Sequence, residues 1–258
     1  AGGTAAVQVP HIFEALQKIP APRFLQTDPG ACTCLNWKET YRQKLADCGQ
    51  GYEFASLRSA QALPASPEEF LRNASWHSAL KRKAPQLGLD YCARFFERMD
   101  SNHCMRMHPH RRIAHSWCYV GDACTVGVKG GYRVSLPFKN RTVKVPDSAV
   151  RVKLCDASVD RLLSDMAPEE LMDFSQRMGF WSPATVVRLS YPFERRFVYR
   201  RRANHTTEIG KIHKAGRPVG IDEGDGRGAK IIVHGSKVWR VSNRPLSFGS
   251  LACVSGCR

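Results

Sequence analysis

The stretch Cys32-Thr33-Cys34-Leu35-Asn36-Trp37-Lys38-Glu39-Thr40-Tyr41-Arg42-Gln43-Lys44-Leu45 carries the two signals on which the fold depends. Trp37, Tyr41 and Leu45 recur every fourth residue, which places them on one face of an amphipathic helix. Two cysteines stand directly ahead of that helix. With a single residue between them, a mutual Cys32–Cys34 disulfide is strained. The spacing therefore predicts two separate bridges that pin the helix from above, with Trp37 a core residue beneath them.

Working outward, the other cysteines follow the same logic. Eight lie between Cys32 and Cys155, namely Cys32, Cys34, Cys48, Cys92, Cys104, Cys118, Cys124 and Cys155, and the chain then holds none until Cys253 and Cys257. Both sets are even, as oxidised modules require, because a leftover thiol invites wrong pairing. Four bridges are expected in the first set, and a small terminal loop closed by Cys253 and Cys257. The pairing stays open, since eight cysteines allow on the order of a hundred connectivities. Disulfides persist in secreted, periplasmic and lumenal spaces, so the expected location lies outside a reducing cytosol.

Metal is the rival reading. His103, Cys104, His108, His110, His115, Cys118 and Cys124 fall within 22 residues, and thiolate and imidazole are zinc's preferred ligands. No C-x2-C pair occurs in the chain, however, and Cys118-x5-Cys124 is not a knuckle spacing. Met105 and Met107 among those histidines are a weak soft-metal signal. No metal or other cofactor is assigned.

The 258 residues are 43% hydrophobic, enough to bury a real core. No apolar run approaches the roughly 18–20 residues of a membrane span. The opening Ala1-Gly2-Gly3-Thr4 has neither a charged nor an apolar signal region, so a soluble chain, or one whose targeting peptide is gone, is expected. Residues 5–30 predict a short helix through Ile12, Leu16 and Ile19, stopped by Pro20 and Pro22. Ser66-Pro67-Glu68-Glu69 is a capping-box start for a helix running to Leu80. Tyr91 to Asp100 predicts another, with Phe95, Phe96 and Met99. Between Trp117 and Val145 short β-prone runs, Trp117-Cys-Tyr-Val120 and Gly131-Tyr-Arg-Val-Ser-Leu136, predict a compact hairpin. Helices are expected from Ser158 to Met166, from Pro168 to Met178 with Gly179 as its stop, and from Ser182-Pro183 to near Pro192. Gly210-Lys-Ile, Pro218–Ile221, Lys230–Val233 and Lys237–Val241 then read as a β-meander. The fold class is α+β. It comprises an arm (1–30), a disulfide-stapled helical module with a short hairpin (31–155), a helical hairpin (156–192) and a basic β-rich region (193–258).

Charge points to where partners bind. The net charge is +16, and residues 186–258 hold 15 Lys and Arg against 5 Asp and Glu. The densest part runs Arg195-Arg196-Phe197-Val198-Tyr199-Arg200-Arg201-Arg202, in which Phe197 and Tyr199 alternate as on a half-buried strand. Arg195, Arg196, Arg200, Arg201 and Arg202 are the candidate partner-binding residues, since guanidinium forks suit carboxylate or phosphate. The blander reading is an edge strand kept from aggregating by its charge. Charge alone supports nucleic acid, without zinc-finger spacing or an aromatic RNA-binding strand.

Catalytic frames do not emerge. No G-x-S-x-G, H-E-x-x-H or catalytic-cysteine signature occurs. Glu68-Glu69 and Glu169-Glu170 follow prolines in first helical turns, where capping and dipole effects account for them. The loop Glu223-Gly-Asp-Gly-Arg-Gly228 matches neither a dinucleotide nor a calcium site. The expectation is a non-enzyme, with no small-molecule substrate. Asn73, Asn140 and Asn204 fit the glycosylation acceptor pattern.

Several stretches together resemble a known module. These are Cys34-Leu-Asn-Trp-Lys-Glu-Thr-Tyr41, Cys48-Gly-Gln-Gly-Tyr-Glu53, Tyr91-Cys-Ala-Arg-Phe-Phe-Glu-Arg-Met-Asp-Ser-Asn-His-Cys104, Trp117-Cys-Tyr-Val120 with Cys124, and Met166-Ala-Pro-Glu-Glu-Leu171 continuing to Leu189-Ser-Tyr-Pro192. The pattern is similar to a cysteine-rich module of dinoflagellate algal proteins and covers roughly residues 30–192. Ala167 stands where that pattern usually has serine, and the basic C-terminal region lies outside it. The resemblance implies a non-enzymatic protein of an oxidising compartment, similar to lumen-side accessory subunits of plastid photosystem assemblies. On that reading the chain is a scaffold subunit in the thylakoid lumen, its arginines docking on acidic loops of a membrane complex, with anionic lipid headgroups as further partners. The alternative is a secreted or lumenal binder of polyanions, either acidic glycan or nucleic acid.

Overall fold

The computed structural model describes residues 24–26, 30–57, 85–108, 115–128, 142–180, 182–195, 216–222, 229–241 and 251–257. The expected helices over 5–20 and 66–80, the strands at 131–136 and 210–212, the loop 223–228 and the three glycosylation asparagines lie outside them.

The first helix, α1 (Trp37–Arg42), starts where the sequence places it. The Asn36 side chain accepts a hydrogen bond from the Glu39 amide at 3.1 Å and so caps it. It ends short of Leu45, because Lys44 adopts a positive φ of 53° and the Leu45 amide turns back to the Thr40 carbonyl at 3.0 Å. Trp37 is buried, as expected.

The helix expected over Tyr91–Asp100 is instead a broken run. A short helix α2 (Pro85–Gly88) leads into a wide turn at Leu89–Ala93, then a tight turn at Phe96–Arg98. The reason lies in the backbone. The Trp37 and Lys38 amides donate to the Ser101 and Met99 carbonyls, both at 3.0 Å. Residues 99–101 are thereby held alongside the start of α1 and cannot continue a helix. The apolar spacing survives, with Tyr91, Cys92, Phe95, Phe96 and Met99 all buried.

The hairpin expected near Trp117 is part of a four-stranded antiparallel sheet. Besides a two-stranded pairing of β1 (Phe24–Gln26) with β4 (Val126–Val128), the strands are β2 (Met105–Arg106), β3 (Ser116–Gly121), β5 (Thr142–Lys144) and β6 (Val150–Leu154). Their order is β2-β3-β6-β5. Trp117 stands opposite Leu154 and Tyr119 opposite Val152. Ser116 to Val120 are all buried, which is why this stretch reads as a continuous apolar run rather than an alternating one.

The helix expected over Ser158–Met166 is reduced to one tight turn, Leu163–Asp165. Its neighbours are committed elsewhere. The Cys104 amide donates to the Arg161 carbonyl at 2.7 Å, and the Leu163 amide to the Cys104 carbonyl at 3.1 Å. The next two helices form as expected: α3 (Pro168–Arg177), followed by Gly179 at a φ of +63°, and α4 (Pro183–Ser190), capped by the Ser182 hydroxyl.

The last sheet contains the expected strands over 218–221, 230–233 and 237–241 and two that were not expected, Phe193–Arg195 and Leu251–Ser255. β8 (Val219–Asp222), β9 (Ala229–His234), β10 (Lys237–Val241) and β11 (Leu251–Ser255) run antiparallel, and β7 (Phe193–Arg195) adds a parallel edge beside β8. Gly220 lies so close to the Phe193 ring that a Cβ would overlap it. One buried cluster extends from Cys32 to Val241 and includes Trp37, Trp117, Leu171, Tyr191, Ile232 and Trp239. The architecture is α+β.

Cys48 and Cys92 close a loop of sequence separation 44. Replacing both with serine is expected to lower unfolding stability by about 2–5 kcal/mol, read by urea denaturation without reductant.

Candidate functional site

The cysteines form five pairs, and no cysteine is free. Cys32 pairs with Cys124, Cys34 with Cys118, Cys48 with Cys92 and Cys104 with Cys155, at Cα separations of 4.9, 5.6, 5.8 and 6.4 Å. Cys253 pairs with Cys257 at 6.0 Å. Cys32 and Cys34 thus reach different partners, as their spacing predicts. The first three loops nest inside one another. Cys104–Cys155 crosses the outer two, because Cys104 lies inside both and Cys155 outside.

Oxidation consumes the cysteines of the rival zinc set, since Cys104, Cys118 and Cys124 are all bridged. His103 serves structure: its Nδ1 shares a 2.9 Å hydrogen bond with the Ser101 hydroxyl, and its ring packs on Phe174. Burial, with the nearby Arg161 charge, holds this imidazole below the ordinary histidine range. His108 is buried, His115 is partly exposed, and His110 lies outside the described residues.

Beneath α1 lies a polar centre that the sequence reading did not single out. Glu53 is fully buried, and its Oε1 accepts hydrogen bonds from the Tyr41 hydroxyl at 2.8 Å and the Tyr119 hydroxyl at 2.6 Å. The turn that delivers it passes through Gly51, where a Cβ would stand 2.5 Å from the Tyr119 oxygen and 2.8 Å from the Trp117 ring. Only glycine lets the backbone approach so closely. Trp37 meets Trp117 edge-on at 4.8 Å and Tyr119 at 5.4 Å. Burial pushes the Glu53 carboxyl up, opposed by the tyrosine hydrogen bonds. The same burial, with Glu53 beside them, pushes both phenols well above their usual range.

A second centre is built from sulfur. Cys34–Cys118 and Cys104–Cys155 lie side by side, with Sγ of Cys34 and Sγ of Cys104 3.5 Å apart. All four sulfurs fall within 4.8 Å of one another. Next to them Lys153 Nζ donates to the Cys32 carbonyl at 2.8 Å and to Asp160 Oδ1 at 2.7 Å. Both side chains of this ion pair are only 8% exposed. That Asp160 oxygen also lies 3.7 Å from Cys34 Sγ. Neither Lys153 nor Asp160 carries a sequence pattern that announces it; only the fold brings them together.

Of the candidate docking arginines, Arg195 ends β7, where its backbone stands opposite Asp222. Arg196, Arg200, Arg201 and Arg202 lie outside the described residues. Glu169 and Glu170 are exposed in the first turn of α3, as expected. A pocket of about 120 Å³ opens between Asp90, Arg94, Phe95, Ser182 and Thr185, well below the roughly 300 Å³ at which ligand sites begin. No helix among the described residues is long and apolar enough to cross a membrane. No protein-family model, curated protein or solved structure matches the chain.

Because the Glu53 pKa is raised on folding, the folded state holds its proton more tightly than the unfolded chain. This contribution is complete below the unfolded value of about 4.3 and is lost as pH rises through the folded value. Glu53→Gln is expected to flatten that fall, as read from urea midpoints across acidic to neutral pH. Lys153→Met leaves Asp160 buried without its cation and is expected to cost about 3–5 kcal/mol. Adding Asp160→Asn should recover part of this loss in the same denaturation series.

Proposed function

We propose that the chain is a non-enzymatic, disulfide-rigidified docking module that works in an oxidising compartment as an accessory subunit of a larger assembly. The observation that carries this reading is the crossing of Cys104–Cys155 over the two outer loops. It ties α1, β2, β3 and β6 into a body whose surface is fixed before any partner arrives. A preorganised surface loses little conformational entropy on binding, which favours a stable subunit contact. Reactive side chains at both buried centres are engaged in holding the fold: cysteines in bridges, Glu53 under two phenols, Lys153 on Asp160.

The specific form of the proposal follows the resemblance to algal cysteine-rich modules. The assembly is a photosystem of the plastid, and the site of docking is its lumenal side. The net charge of +16 steers the chain toward acidic loops, and the arginine-rich stretch from Arg195 to Arg202 supplies the forks for carboxylates.

Mild detergent extraction followed by native gel electrophoresis and immunoblotting tests the proposal. The chain should migrate with a large membrane complex and stay there after a wash in about 1 M salt: at a Debye length of about 3 Å the long-range steering is lost, while bidentate arginine–carboxylate pairs buried in the interface are screened much less. Replacing Arg200, Arg201 and Arg202 with glutamate should weaken reassociation. Elution of the wild-type chain by salt as a free protein would replace this reading with that of a polyanion binder.

A further inference from the structure

We infer that Cys34, Cys104, Cys118 and Cys155 form a zinc site when their two bridges are opened. The set differs from the histidine-rich stretch weighed on the sequence, and no spacing rule reveals it, because its members come from four separate segments. Cys34 precedes α1, Cys104 precedes β2, Cys118 lies within β3 and Cys155 follows β6.

Geometry favours the site. Zinc–thiolate bonds of about 2.3 Å in a tetrahedron place sulfurs about 3.8 Å apart. Across the two bridges the Cys34 and Cys104 sulfurs already lie 3.5 Å apart, and all four lie within 4.8 Å of one another. The partners' Cα atoms, 5.6 and 6.4 Å apart, leave room for each pair of sulfurs to separate by side-chain rotation. Their backbone positions also have supports independent of sulfur. The Cys155 amide donates to the Ser116 carbonyl at 2.9 Å, Cys118 pairs with Lys153 across β3 and β6, and the Cys104 amide is held by Arg161 at 2.7 Å.

Chemistry selects the ion. Four thiolates are soft ligands, which suit zinc rather than magnesium or calcium. Four thiolates and one Zn²⁺ carry a net charge of about −2; the Asp160 carboxylate stands 3.7 Å from Sγ of Cys34, and the Lys153 ammonium paired with it cancels that carboxylate's charge, so it adds no net repulsion. The opening step balances with a phosphine reductant. Each disulfide, one phosphine and one water give two thiols and one phosphine oxide, so two phosphines release four thiols. Zn²⁺ then forms four Zn–S bonds as four protons leave, without changing its own oxidation state. The same four sulfurs would hold the sheet together before oxidation and after it.

The test uses the full chain, with the metal added before the phosphine so that the fold never lacks a clamp. Zinc is counted after gel filtration, cobalt replaces it as a spectroscopic probe, and alkylation with mass mapping identifies the protected thiols. One ion per reduced chain is expected, with a tetrahedral thiolate cobalt spectrum and protection of Cys34, Cys104, Cys118 and Cys155. The oxidised chain should retain none. The Cys34→Ser/Cys118→Ser variant should lose the ion. Cys48→Ser/Cys92→Ser should keep it, although Cys48, Cys92 and Glu97 also cluster. Unfolding with no ion retained, protection of other cysteines, or equal loss in both variants would overturn the inference. None of these outcomes touches the docking reading, which is tested on the oxidised chain.

Discussion

Four covalent links hold together segments that a chain of this length would otherwise have to gather by packing alone. In the chain-entropy picture each loop, of sequence separation 92, 84, 44 or 51, limits the unfolded state by an amount equivalent to about 4–5 kcal/mol, though loops that nest or cross do not add simply. The aromatic core lies directly beneath. Trp37 and Trp117 pack edge to face on each other, and each lies edge to face or tilted within 6.5 Å of Tyr119 and of Phe96. Bridges set which segments meet, and the rings determine how closely.

Two carboxylates, Glu53 and the almost covered Asp160, lie inside this frame, and they are handled differently. Glu53 shares one oxygen between two phenols and keeps a raised pKa, so it resists ionising in its apolar surroundings. Asp160 is instead matched by a full charge on Lys153, with the Cys32 carbonyl taking a further ammonium proton. Such pairs rarely add net stability against apolar replacements of similar shape, but losing one member is costly. Both sit next to bridged cysteine segments, where they fix the register of neighbouring chain segments.

Much of the fold was legible in the sequence wherever one local rule decided the outcome. Ser182 caps α4 and Gly179 stops α3, as read from the sequence. Even cysteine counts were enough to expect bridges, and a single intervening residue was enough to send Cys32 and Cys34 to different partners. Local rules failed where a distant backbone made the decision. Tyr91–Asp100 has a helical apolar spacing, yet Met99 and Ser101 give their carbonyls to α1. Residues 161–163 read as helix but serve as the partner of Cys104. The buried centres were illegible for the same reason, because Glu53 with Tyr119, and Lys153 with the Cys32 carbonyl, are neighbours only in three dimensions.

The crossing of Cys104–Cys155 over Cys32–Cys124 leaves no unspanned peptide bond between residues 32 and 155. A protease that nicks this module once, at whatever bond, produces no diffusible fragment. Both pieces stay on one covalent framework, and the core keeps all its parts. Lumenal and extracellular spaces are rich in hydrolases, and there this wiring turns backbone cleavage from a loss of the protein into a change in its chain ends.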